Sequence, residues 1–597
     1  MSKFIIYDYE IFKYNSLQGA IVINEDESEE VFQPWDLNDI KKFYQEHKRD
    51  VWVGHNNFSY DDRILDAINH DENPYNVSQK IVNGQYVPNC RSELYSIDLM
   101  KLWKNNYSLK LTELICGHDI DTTEVDFNIQ TPLTQEQIEL TNHYNLSDLK
   151  QTLYNFKAFY HMIELRFDMI KEFKLDFNKA FKSSYAMLAA EIFGVKPNKA
   201  LQFQPVKPKW YSTLRVKNED VKAYYMNEGF KIAENTLVIK IGDFEIVLGG
   251  GGCHGAIKGY HAEKVLYADV GGFYNLIALL YDLLPRSMTK EQKEKYKEKY
   301  EYQLELKKQG SKKRQTYKEI LLAVIGAMNN EGSPFYDPNT YALVGITGQL
   351  FLVDLIEKLD ALNGLVKMVQ VNTDGIMLEL TDWSREEEVR KVLKEWEDRT
   401  GFSLKIDYLY DLWQRDVNTY FCKDGEGKII VKGEAVKNYF YDYEAYSNFS
   451  LLNCQEPSII AKGIVDYFLF QQTPEETVNK YKKDLKLFQY ICKQTKAYDY
   501  IAYETSNVVT METSIVKLKN IARAFAYKSN EEIGIVQAYK DNRYGKSSKR
   551  RLSKLPDNVF IYNKALNDNA YKNLKDKIDY TYYVKRIYEK IISFMKD

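Results

Sequence analysis

The stretch Val369-Gln370-Val371-Asn372-Thr373-Asp374-Gly375-Ile376-Met377-Leu378-Glu379-Leu380 joins two apolar runs through a short polar turn. Its pattern predicts a buried β-hairpin with one acidic residue, Asp374, at the tip. An Asp at a β-turn is by itself only a turn former. Metal-assisted work on a phosphate needs a second carboxylate beside it, so the rest of the chain decides what this turn is for.

At 597 residues the chain is long enough for several domains with sizeable cores. A formal charge of −4 gives no global basic field, which leaves local patches as the place to look for a polyanion partner. Forty-four per cent hydrophobic and 28% charged residues indicate a globular rather than a disordered chain. The 48 tyrosines offer flat surfaces able to stack on bases, although most should fill cores. Six cysteines without a CxxC pair argue against a zinc or iron–sulfur knuckle and for reduced thiols. No apolar run is long enough to span a membrane, and "MSKFIIYDYE" opens directly on a strand-like segment with no signal peptide. The expectation is a soluble, cytoplasmic protein.

"KFIIYDYEIF" reads as a strand whose alternation puts Asp8 and Glu10 on one face. "VWVGHNNFSYDDRIL" reads as a second strand, Val51 to Val53, then a turn, then Asp61 opening a helix. In "NHYNLSDLKQTLYNF", Tyr144 and Asp148 lie one turn apart on a helix face. Four acids and a tyrosine can hold two divalent ions and orient a water. Singly each piece is commonplace; as an ordered set they resemble the three motifs of DEDDy 3′–5′ exonucleases. The resemblance implies that Asp8, Glu10, Asp61 and Asp148 bind metals, that Tyr144 orients the attacking water, and that Asn57 belongs to the DNA-contacting second motif. Asp62 is the alternative to Asp61, disfavoured because Tyr60 directly precedes Asp61. "SIDLM", Ser96 to Met100, is read as a further strand, with no role for Asp98.

Further on, Gly249 to Gly252 read as a flexible loop able to approach a phosphate, with Gly250 and Gly251 at its centre. "KVLYAD" is a strand ending at Asp269, followed by the apolar helix of "GGFYNLIALLYDLL". Two charge-rich helical stretches then flank Gln309-Gly310-Ser311, with Ser311 the expected N-cap of the second. Arg314 and Lys318 share a face of that helix and can clamp a polyphosphate.

This order, exonuclease motifs, strand–Asp–helix, basic helical hairpin, Asp hairpin, resembles the family B DNA polymerases of phage type. The resemblance makes Asp269 the catalytic metal ligand that partners Asp374, and Tyr274 the residue under the sugar that excludes ribonucleotides. It gives Lys318 to the triphosphate, and Tyr420 and Lys432 in "RDVNTYFCKDGEGKIIVKG" to the primer. The chain departs from the family pattern at Leu322 and Ile325 in the fingers motif, at Gly271-Gly272, and at Asn372, where an acid is usual. A neutral Asn372 reads as merely supportive, so that Asp there is expected to be tolerated.

The implied fold is an α/β and α+β multidomain chain: a ribonuclease-H-like exonuclease domain plus a right-hand polymerase. Its expected divisions are exonuclease 1–165, helical connector and start of palm 166–245, palm 246–285, fingers 286–328, palm 329–440 and thumb 441–597. The thumb is read as helix-rich, with Lys546, Lys549, Arg550, Arg551 and Lys554 in a loop following a duplex backbone. The all-oxygen ligand sets imply Mg²⁺ or Mn²⁺, two per active site. Expected partners are primer-template DNA from a nucleic-acid primer, dNTPs and phage replication accessory proteins, with the enzyme a monomer and no membrane involved. The alternative is a metal-dependent 3′–5′ exonuclease carrying a non-catalytic, DNA-binding polymerase-like module.

Overall fold

A computed structural model describes residues 3–102, 107–120, 123–199, 209–226, 236–250, 252–440, 456–494, 498, 500–506, 513–518, 520–528, 532–538, 549–552 and 555–595. The chain forms two compact units: Met1–Lys182 with Phe440–Ile460 and Glu475–Lys585, and Ser183–Tyr439 with Ala461–Pro474 and Arg586–Asp597. Both mix helices and sheets. Among the described residues no helix is long and apolar enough to cross a membrane.

In the first unit, β1 (Phe4–Ile11), β2 (Ser16–Ile23), β3 (Glu29–Phe32), β4 (Val51–Gly54) and β5 (Tyr95–Asp98) form a sheet of order β3-β2-β1-β4-β5. β1 pairs antiparallel with β2 and parallel with β4. Alternation along β1 sends Ile5, Tyr7, Tyr9 and Ile11 into one core with Trp52 and Ile64. Ile6 enters the opposite core, with Leu149, Leu153 and Phe156 of the helix Gln135–Phe173. Asp8 and Glu10 share the face of Ile6 and therefore look toward that helix. The helix starts at a reciprocal cap, Gln137 N donating to Thr134 Oγ1 at 3.3 Å and Thr134 N to Gln137 Oε1 at 2.9 Å.

The C-terminal part of this unit differs from the helix-rich expectation. It contains β15 to β21: Tyr490–Lys493, Tyr500–Ser506, Thr513–Leu518, Ile521–Ala526, Glu532–Ala538, Lys549–Arg551 and Val559–Ile561. They make two sheets, β15-β18-β21 and β17-β16-β19-β20. Runs this short carry too few turns or alternations for periodicity to separate strand from helix. This layer is laced to residues 114–120. The guanidinium of the fully buried Arg523 donates to the carbonyls of Leu114 (3.1 Å), His118 (3.0 Å) and Lys564 (2.7 Å), and to Gln489 Oε1 (2.8 Å). Gln489 donates to the Ile115 carbonyl at 3.2 Å, and Leu566 N to that of Gly117 at 2.8 Å. Where the helix Leu109–Cys116 ends, the carbonyls of Ile115, Gly117 and His118 are thus satisfied by distant chain, and that of Leu114, which also accepts from Gly117 N, gains a second donor.

The second unit is built on a sheet of order β14-β13-β12-β9-β11-β10-β8-β7-β6. Its strands are β6 (Leu237–Ile241), β7 (Phe244–Gly249), β8 (Gly252–Ala256), β9 (Tyr260–Val270), β10 (Val366–Asn372), β11 (Gly375–Leu380), β12 (Leu404–Asp416), β13 (Thr419–Lys423) and β14 (Ile429–Lys432). The quoted stretch is the β10–β11 hairpin. Leu266, Ala268, Val270, Ile376 and Leu378 pack on one face with Leu350, Val353 and Ile356 of the helix Pro338–Asp360. Val265, Met377, Leu409, Leu412 and Tyr420 pack on the other, which Asp269 shares by alternation.

Two local expectations are corrected. Gly249 pairs with Gly252, so these glycines turn a tight β7–β8 hairpin rather than a flexible loop; Gly250 sits in that turn and Gly251 lies outside the described residues. The helix after the basic turn starts at Arg314, without a side-chain cap. Ser311 lies upstream of it, its carbonyl accepting from Arg314 N at 3.1 Å, because Gly310 (φ 64°) reverses the chain and a further turn intervenes.

Candidate active sites

Asp8, Glu10 and Asp148 each place a carboxylate oxygen within 4.8 Å of the others. β1 contributes the first two and the long helix the third, two segments well separated in sequence. Glu10 is 5% and Asp148 6% exposed. Burial, then the charge of Asp148, pushes Asp8 up to about 7. Burial and neighbouring carboxylates likewise raise Glu10 and Asp61, and burial raises Asp148. So many acids resisting ionisation in one place form an all-oxygen donor set suited to a hard divalent cation.

Asp61 opens the helix Asp61–Asn69 and accepts from the Tyr9 amide at 3.2 Å, while the charge of Asp8 raises its pKa. Asp62 is committed elsewhere: it accepts from the Tyr7 hydroxyl, from Asn57 Nδ2 (3.0 Å) and from Ser96 Oγ (3.1 Å). Of the two, Asp61 is the one that senses the charge of Asp8, although it is not among the three carboxylates that converge. Asn57 is 0% exposed and also donates to Ser96 Oγ at 2.7 Å. Instead of reaching DNA, it ties the turn before Asp61 to the sheet. Asp98 caps its own surroundings, accepting from Asn56 N at 2.8 Å and Met100 N at 3.0 Å.

Tyr144 has its pKa raised by burial and then by Asp148, so it stays a phenol. The Lys110 ammonium lies 4.7 Å from its ring centroid, 2.5 Å from Asp148 Oδ1 and 2.9 Å from Glu113 Oε1. Asn145 Nδ2 donates to Asp8 Oδ2 at 3.3 Å. Gly19, opposite Asp8 on β2, makes room for that amide: a Cβ there would stand 1.8 Å from Asn145 Oδ1. Sequence reading missed Lys110 and Asn145. The only local hints were the i, i+3 spacing of Lys110 and Glu113 and the adjacency of Asn145 to Tyr144.

In the second unit, antiparallel pairing sets Gly375 opposite Asp269, and Val270 N donates to the Asp374 carbonyl at 2.8 Å. The two predicted carboxylates are therefore brought together. Burial, then the charge of Asp269, pushes Asp374 up to about 6, with Lys432 opposing. Tyr267 donates to Asp269 Oδ1 at 3.1 Å, and its ring closes over Gly375, where a Cβ would lie 2.7 Å from it. Tyr274, on the helix Phe273–Leu280, is raised to about 12 by burial and then by Asp374, so it too lies within reach of that charge. Tyr420 stands directly across from Lys432 on β13 and β14.

Arg314 and Lys318 lie one turn apart on the helix Arg314–Gly326, and Leu322 continues that face, 43% exposed. The Arg314 Nε is buried without a hydrogen-bond partner. Among the described residues, neither cation bonds to Asp269 or Asp374. Lys549, Arg550 and Arg551 form strand β20 rather than a loop, because they pair with Ala538, Gln537 and Val536. Arg551 donates to the Asp557 carbonyl. Lys546 and Lys554 lie outside the described residues.

Neither a protein-family model nor a curated protein sequence matches the chain. Among solved structures it is similar to the family B DNA polymerase from the hyperthermophilic archaeon Pyrobaculum calidifontis, at 14% identity and a TM-score of 0.43, over 100% of this chain and 78% of that one. A likeness this distant transfers no activity.

Proposed function

We propose that the chain is a DNA-directed DNA polymerase of phage type, from a phage or other mobile element, with a 3′–5′ proofreading exonuclease. The observation that carries the reading is the meeting of Asp8, Glu10 and Asp148 at one point. Motif order along the chain adds the facing pair Asp269 and Asp374. Asp8, Glu10, Asp61 and Asp148 would hold Mg²⁺ or Mn²⁺ in the nuclease, and Asp269 and Asp374 in the polymerase. Such ions, when bound, activate a nucleophile and neutralise charge developing on a phosphoryl group.

The chain's own side chains supply the rest. Tyr144, kept protonated and hydrogen-bonded to Asp148, orients the incoming water rather than taking its proton. Lys110 fixes Asp148 and adds a positive charge beside the scissile phosphate. Tyr274 occupies the space of a ribose 2′-hydroxyl, Lys318 and Arg314 meet the triphosphate, and Tyr420 with Lys432 steadies the primer. The assignment of palm, fingers and thumb to the divisions given above belongs to the same proposal.

A second reading, an exonuclease with a non-catalytic polymerase-like module, is favoured by one feature: the second site offers a pair of carboxylates where the first offers a cluster. One experiment separates them. Wild type, Asp8→Ala/Glu10→Ala and Asp374→Asn are run on a labelled primer-template with and without dNTPs. The proposal expects extension by the first two and shortening by the first and third. Shortening by wild type, with extension by none of the three, establishes the second reading, and neither activity in wild type refutes both.

A further inference from the structure

The turn that presents Asp374 is held by a run of side-chain hydrogen bonds. Asn372 Nδ2 donates to the Val417 carbonyl at 3.2 Å, in the connection between β12 and β13. The Thr373 hydroxyl donates to Asn372 Oδ1 at 3.0 Å. His254 Nε2, on β8, lies 3.3 Å from the same hydroxyl. Because the hydroxyl proton is spent on Asn372, the imidazole must donate, which fixes its proton on Nε2.

What this run restrains is an unfavourable backbone. Thr373 has φ 60°, a left-handed conformation that β-branched residues rarely adopt. Its amide donates to the Cys253 carbonyl at 3.0 Å, and the next residue's carbonyl accepts from Val270. A strained residue directly before a working carboxylate persists only when its surroundings over-determine it. Here the surroundings are three different strands or connections, converging on Asn372, Thr373 and Asp374.

We propose that His254 and Asn372 are positioning residues for Asp374, acting through Thr373. The proposal rests on the reading of Asp374 as the carboxylate of nucleotide addition. It reverses the expectation that an acid at 372 is tolerated. An Asp there matches the family pattern yet cannot donate to the Val417 carbonyl. It would set an acceptor against an acceptor and add a like charge beside Asp374.

The test is single-nucleotide incorporation by the full chain in an Asp8→Ala/Glu10→Ala background, with thermal melting on the same samples. That background must itself extend; if it does not, the reading of the site fails and the tie is not what failed. Asn372→Asp and His254→Phe are each expected to lower kcat by about tenfold or more, the usual cost of losing a support behind a metal ligand, with little change in KM for the dNTP. His254→Gln, which keeps an N–H donor, recovers most of the loss. Thr373→Gly relieves the left-handed strain, so it melts no lower than its parent yet extends as poorly as Asn372→Asp. Wild-type kcat in Asn372→Asp or in Thr373→Gly overturns the proposal, as does a loss confined to KM.

Discussion

Adding Mg²⁺ to metal-free protein at pH 8 should raise its melting temperature, and the gain should vanish as the pH falls to about 5. In the absence of a cation the acids of the first unit depend on protons. Asp8 is held up near 7, and Glu10, Asp61 and Asp148 are displaced in the same direction. The sign follows from linkage. A carboxyl raised on folding binds more protons in the native than in the unfolded state, so its contribution is full below the ordinary value of 3.8 and is lost as pH rises through about 7. A divalent ion binds the deprotonated set, so its stabilisation grows over the same interval. At a metal concentration 100-fold above the dissociation constant the gain is about 2.7 kcal/mol. For a large unit each kcal/mol is worth roughly 2 °C, which gives about 5 °C at pH 8. Differential scanning calorimetry in EDTA and in Mg²⁺, at pH 5 and pH 8, reads this directly. Asp8→Asn/Glu10→Gln should melt above wild type in EDTA at pH 8, and should lose most of the metal-dependent gain. An unchanged gain in that variant would place the responsive site elsewhere and refute the reasoning.

Three further outcomes are expected. Asp374→Asn should abolish primer extension, costing roughly 3 kcal/mol or more of transition-state stabilisation, while mononucleotide release continues at the wild-type rate. Tyr274→Val should raise incorporation of rNTPs relative to dNTPs; an unchanged ratio in single-nucleotide kinetics means that Tyr274 does not fill the 2′ position. Lys110→Met leaves Asp148 and Glu113 without their shared cation, so nuclease activity should fall by about tenfold or more with extension preserved. Equal loss of both activities would point to general unfolding instead.

What the sequence disclosed is what local rules govern. Alternation alone put Asp8 and Glu10 on one face of β1, and helical spacing put Tyr144 over Asp148. Turn chemistry marked the β10–β11 hairpin, and pairing then delivered Asp374 to Asp269. What stayed hidden depends on distant segments meeting. Lys110 finds Asp148 across 38 positions, Asn145 finds Asp8 across 137, and His254 finds Thr373 across 119. Asn57 was read as a DNA contact from its motif, but its burial is set by Tyr7 and Ser96, which the motif does not include. The short C-terminal strands went unread for a different reason: without long-range partners, six residues such as "TSIVKL" specify little.

The lacing of residues 114–120 by Arg523, Gln489 and Leu566 has a consequence for the order in which the molecule is made. Ribosomes synthesise from the N-terminus, and domains generally fold as units once their sequence has emerged. The carbonyl of Ile115 receives its donor only after residue 489 has been translated, that of His118 after residue 523 and that of Gly117 after residue 566, while Leu114 gains its second donor at 523. The helix bearing Lys110 therefore has only its local Gly117 cap at its far end through most of synthesis, while the core strands β9 to β14 are already complete by residue 432. A nascent chain stalled before residue 489 should have its nine-stranded sheet and lack a finished first unit. The acid cluster proposed for the nuclease would then mature last, although Asp8 and Glu10 are translated long before residue 489.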